Sequence, residues 1–109
     1  MPKSTLAEVF GQGATQTATS WTIQKADFPT LEASATNSGS ALLAAILIEN
    51  NGKLTKAAFD ADVEKSIYIE DGFSNFIPRG ETSIQYRVDQ IVTNLAQVDS
   101  GSTLDPDNY

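Results

Sequence analysis

Any chemistry in this chain must do without histidine and cysteine, since neither occurs among its 109 residues. Ser-His-Asp, Cys-His and His-metal mechanisms are therefore excluded, as are disulfides and zinc-thiolate sites. What remains is work by carboxylates, Lys, Tyr, Ser or Thr, which needs large pKa shifts from burial and neighbouring charge. Asp27, Glu70, Asp71, Asp89 and Tyr86 are the polar groups that a carboxylate-based enzyme or a small-ligand pocket would draw on.

Three local patterns invite a more specific reading, and each departs from its template at a named residue. Asp60, Asp62 and Glu64 alternate, with Asp71 at the twelfth position counted from Asp60. This is the ligand spacing of a calcium loop, but Lys65 stands where the sharp turn needs glycine, and Asp71 is short for the bidentate glutamate. Val98-Asp99-Ser100-Gly101-Ser102 resembles the Asp-Ser/Thr-Gly active-site turn of aspartic proteases. Gln97 stands where that family has an apolar residue, and the eight residues after Gly101 are too few for the elements that hold its carboxylate dyad. Gly11-Gln12-Gly13 opens like a phosphate cradle, yet Gln16 replaces the third glycine and no Lys-Ser/Thr pair follows. No metal site, cofactor site or catalytic residue is expected, and the chain reads as a contact-making protein rather than an enzyme.

Composition narrows the partners. The formal charge is −7 and the isoelectric point is near 4.2. A phosphate backbone would be repelled, because nucleic-acid affinity comes largely from Lys and Arg displacing counterions, and anionic membranes are disfavoured for the same reason. Ser4, Thr5, Glu8 and Gln12 interrupt any signal-peptide core, and the longest apolar run, Ala41 to Ile48, is far too short to span a bilayer. The expectation is a cytoplasmic protein whose partner is protein, including copies of itself, with no nucleic acid and no membrane. A small-ligand protein or carboxylate-based enzyme, with a pocket between sheet and helix, is the alternative.

The elements that must position these groups follow from periodicity. Thr5 and Glu8 have capping-box spacing, and Leu6, Val9 and Phe10 share a face before Gly11. Thr15 to Lys25 alternates with a period of two and reads as a strand ending near Pro29. Ala41-Leu-Leu-Ala-Ala-Ile-Leu-Ile48 is apolar throughout. Leu and Ala favour a buried helix near 40–49, while a central strand at 42–49 in an all-β sandwich is the alternative. Thr55 caps a short helix running to Val63. Further strands are expected at 66–70 and 73–77, then a tight turn at Pro78-Arg79-Gly80-Glu81. Residues 82–97 form a long strand with an extra residue near Asp89-Gln90, an arrangement in competition with a helix whose one face carries Ile84, Val88, Ile91, Val92, Leu95 and Val98.

The expected architecture is α+β: a small antiparallel sheet (strands near 15–25, 66–70, 73–77 and 82–97) packed on the helix near 40–49. One globular domain covers 1–98, and 99–109 forms a flexible acidic tail. The body is acidic in its own right, at −4 once the three acids of the tail are set aside. The candidate interface is the apolar cluster Phe73, Phe76 and Tyr86 rimmed by Arg79 and Arg87, because aromatic groups with arginine neighbours are what interface hot spots use.

Overall fold

The computed structural model describes residues 3–98 and 104–109. Its class is α+β. Helix α1 spans Leu6–Phe10, α2 Gly39–Asn51 and α3 Lys56–Ala61. Strands β1 (Thr15–Gln16) and β2 (Trp21–Thr22) form one antiparallel pair, and β3 (Ile67–Arg79) and β4 (Ile84–Leu95) form a second. None of the described helices is long and apolar enough to cross a membrane.

Each helix begins on a hydroxyl. The Oγ atoms of Thr5, Ser38 and Thr55 accept from the amides of Glu8, Ala41 and Ala58, satisfying donors that have no partner inside the helix. Gly11 then turns the chain at φ 101°, and a Cβ there would collide with the Asp27 side chain. The apolar run is helical, so the sandwich with 42–49 as a central strand is excluded. That helix is not buried as expected, however. Only Ala45 and Asn50 are buried along it, while Leu43 and Ile48 are exposed. The helix ending at Ala61 stops two residues short of the Val63 expected from sequence.

The single sheet expected from sequence divides into two. Its first strand, 15–25, breaks at the middle because Thr17 takes over as a turn. Thr17 Oγ1 accepts from the amides of Thr19 and Ser20, and the Thr17 amide donates to the Ser20 carbonyl at 2.7 Å. Local side-chain bonds of this kind compete with ladder formation, and here they leave a hairpin of two-residue strands. Conversely, the strands expected at 66–70 and 73–77 are one element. A β-bulge between Asp71 and Ser74 lets β3 run on past Asp71-Gly72. The extra residue therefore lies on β3, not on β4 near Asp89-Gln90. Gly72 sits there because a Cβ would come within 2.6 Å of the Gln90 Cβ. The hairpin tip also moves. Pro78 and Arg79 remain in β3, and the turn is made by Gly80 to Ser83, closed by the Ser83 amide on the Gly80 carbonyl.

The core is thin. Phe28, Ala45, Leu54 and Ile69 are the buried apolar residues among those described. They gather α2, the segment after β2 and the root of β3, where the Ile69 amide donates to the Leu54 carbonyl at 2.7 Å. The Phe59 ring of α3 lies 4.6 Å from that of Tyr68, fixing the other face of the root. Residues 104–109 return to the same place. The Lys3 ammonium and the Ser66 hydroxyl donate to the Asn108 and Tyr109 carbonyls, and the Asn108 amide donates to Gln97.

Candidate interaction surface

Beyond the root, β3 and β4 leave the body as a two-stranded ribbon. Pairing alternates strictly from Ser74↔Asp89 to Arg79↔Ile84, so the side chains sort onto two faces. One face carries Ser74, Phe76 and Pro78 opposite Asp89, Arg87 and Gln85. The other carries Asn75, Ile77 and Arg79 opposite Val88, Tyr86 and Ile84. Neither face is covered: Phe76 is 67% exposed, Ile84 58% and Tyr86 44%. Phe73 stands at the bulge and is 84% exposed.

The five candidate interface residues therefore all lie on the ribbon, but not in one patch. Phe76 and Arg87 are direct cross-strand partners on the first face. Arg79 and Tyr86 are diagonal neighbours on the second, with the guanidinium 5.0 Å from the ring centre, a cation–π contact. Phe73 belongs to the bulge. Missing from the sequence reading were Ile77, Ile84, Val88 and Val92, which with Tyr86 extend the second face into an apolar strip. The signal that could have found them is the alternation Ile84-Tyr86-Val88, which puts these side chains on one face of a strand.

Arg87 Nε lies 3.1 Å from Asp89 Oδ2, and the Ser74 hydroxyl donates to Asp89 Oδ1 at 2.7 Å. The Ser74 hydrogen bond, then Arg87, hold the Asp89 carboxyl below its ordinary value. Asp89 is thus kept charged at the exposed edge, which suits a fixed ion-pairing group and not a proton donor.

The carboxylates that a catalytic reading would use do not converge. Asp27 accepts from the Gly13 amide at 2.9 Å, so the Gly-Gln-Gly loop is occupied by a carboxylate of the same chain. Asp71 accepts from the Asn51 side chain, and Glu70 is its neighbour on the opposite face of β3. Of the calcium-like spacing, Asp60 pairs with Lys56 at 2.8 Å and Asp62 accepts from the Glu64 amide. No cluster of three potential metal ligands occurs among the described residues. The Asp99-Ser100-Gly101 turn lies outside the described residues. An apolar recess of about 290 Å³ does exist, but between α2 and the 23–31 segment. It is lined by Ile23, Lys25, Phe28, Leu31, Leu42, Ala45 and Ile46.

Comparison with protein-family models, curated proteins and solved structures returns no match, so the reading rests on the geometry of the chain itself.

Proposed function

We propose that the protein is a non-catalytic assembly subunit, acting through contacts with protein chains and chiefly with copies of itself, in a repeated-subunit particle or a regulatory complex. The observation that carries this reading is surplus surface. The chain exposes 8095 Å², whereas a compact monomer of 11.7 kDa would expose roughly 5,900 Å². Its radius of gyration is 16.6 Å against about 13 Å for a compact domain of this length. The excess of roughly 2,200 Å² per chain is on the scale that obligate interfaces conceal.

Where that surplus lies supports the same reading. The ribbon presents Phe73, Phe76, Ile84 and Tyr86 to solvent, and α2 presents Leu43 and Ile48. A helix apolar on all sides is ordinarily enclosed, and here one side has no cover from its own chain. Two separate uncovered apolar surfaces suit a subunit with more than one neighbour. A cytoplasmic setting is part of the same proposal.

Sedimentation velocity across a concentration series is the test. Association is expected on the order of tens of micromolar or below. A strict monomer throughout that range overturns self-association. The rival reading, a small-ligand protein, rests on the apolar recess beneath α2 alone, because its carboxylates are engaged separately.

A further inference from the structure

The ribbon has two outer edges, and they are not alike. On β3, the backbone groups that face away from β4 beyond the bulge belong to Ser74, Phe76 and Pro78. This follows because Asn75, Ile77 and Arg79 continue the set that faces β4 after the two-residue step at Gly72-Phe73. Pro78 has no amide to offer, the bulge interrupts the row, and nearer the root the Ile69 amide is already given to Leu54. Proline and bulges are the devices that keep an edge from pairing.

On β4 none of these devices occurs. Its twelve residues contain no proline, glycine or bulge. The Ala96 amide donates to the Ser66 carbonyl, so even-numbered residues face β3. Odd-numbered residues from Gln85 to Thr93 then turn their N–H and C=O groups outward. Among the described residues no backbone hydrogen bond reaches that edge. The ribbon is also electrically neutral over residues 72–95, where Arg79 and Arg87 balance Glu81 and Asp89. The chain's surplus acid lies elsewhere, so one ribbon does not repel another.

We infer that β4 pairs antiparallel with β4 of a second copy across a two-fold axis at Val88, giving a four-stranded sheet. This deepens the proposed self-association by naming its surface and register. Charge selects the register. With Val88 opposite Val88 of the second copy, Arg87 lies opposite Asp89 and Asp89 opposite Arg87, while Ile84 meets Val92. Sliding each strand by one residue sets either Arg87 against Arg87 or Asp89 against Asp89, and like charges directly opposite are unfavourable. The Arg87–Asp89 pair within one chain thereby becomes half of a four-charge cluster on one face of the sheet. The pairing is isologous and satisfies both edges at once.

The test uses the full chain and two charge reversals. R87D and D89R each place like charges opposite one another twice, and each is expected to weaken the dimer about tenfold or more. Mixed one to one, the two variants become complementary, and the heterodimer is expected to return to wild-type strength. An ion pair confined to one chain cannot produce that rescue, and misfolded chains cannot regain a dimer on mixing. V88C supplies the only thiol in the chain. Residues facing each other without mutual hydrogen bonds have Cα atoms about 4.5 Å apart, within disulfide range. Rapid covalent dimer formation on mild oxidation is expected from V88C and not from Q85C. Failure of the mixture to re-form a dimer, or of V88C to cross-link, overturns the β4 pairing. If the wild type associates while both single variants match it, the edge is rejected and self-association survives. A wild type that stays monomeric rejects both.

Discussion

The exposed phenylalanines of the ribbon allow fold and assembly to be separated in one experiment. A phenylalanine offers about 200 Å² to a neighbour. At exposures of 84% and 67%, Phe73 and Phe76 leave roughly 170 and 130 Å² uncovered, worth about 4 and 3 kcal/mol if a partner buries them at about 25 cal/mol per Å². The part already covered within the chain is roughly 100 Å² for the two together, so about 2.5 kcal/mol is the ceiling on what they add to folding. Replacing both, F73S with F76S, is therefore expected to lower the unfolding free energy by less than that ceiling. Association that buries even half of the exposed ring area should weaken by about a hundredfold or more. Urea denaturation gives the first quantity and sedimentation velocity the second. A large loss of folding stability with unchanged association would refute the reasoning, since the rings would then act within the subunit.

Three further substitutions probe the body and the edge. Ile69→Ala removes one of the four buried apolar side chains among the described residues and should cost about 3 kcal/mol, read from the denaturant midpoint, with the root unfolding before the rest. Gly11→Ala must take φ 101° and meets the Asp27 side chain, so a loss of about 2 kcal/mol or more is expected in the same assay. Ser74→Ala removes the strongest influence on Asp89, and its carboxyl should titrate closer to the ordinary value in a side-chain NMR titration. The sign carries through to stability: a carboxyl held low when folded adds stability above its unfolded value and loses it as pH falls through the folded one. The ribbon should therefore loosen below about pH 4, and less so in Ser74→Ala.

The elements were legible where one residue type had one job. Thr5 and Thr55 announced helix starts through their hydroxyls, and the Ala-Leu run was typed as a helix by propensity, while its cap, Ser38, is fixed only by the structure. The strand expected across 15–25 was lost because periodicity cannot see that Thr17 bonds two amides ahead of it. The bulge was anticipated on the wrong strand for a related reason. Hydrophobic phase reports that one residue is extra in a pair of strands, not which strand carries it, and the space left by Gly72 beside Gln90 decides. The candidate interface could be read as a set of residue types but not as two faces, since face assignment needs the register. Ile77, Ile84 and Val88 are absent from the expected interface because sequence hydrophobicity predicts burial without saying by which chain.

A long β-ribbon with open edges invites unlimited growth, and the asymmetry between the two edges explains why a closed assembly is the better expectation. If both edges could pair, each added chain would expose a fresh edge and a fibre would follow. Here an antiparallel pairing of β4 with β4 uses the permissive edge of both copies in one step. What it leaves outermost is β3 on either side, where Pro78 withholds a donor, the Gly72-Phe73 bulge breaks the row and Leu54 occupies Ile69. Growth beyond two ribbons must then proceed through side-chain faces, by way of Phe73, Phe76 and the outer side of α2, and not through main-chain hydrogen bonds. Contacts of that kind depend on shape and are specific to position, which is the requirement for a particle of defined size. The acidic body reinforces the limit, because its net charge opposes any packing that does not bring these neutral apolar surfaces together.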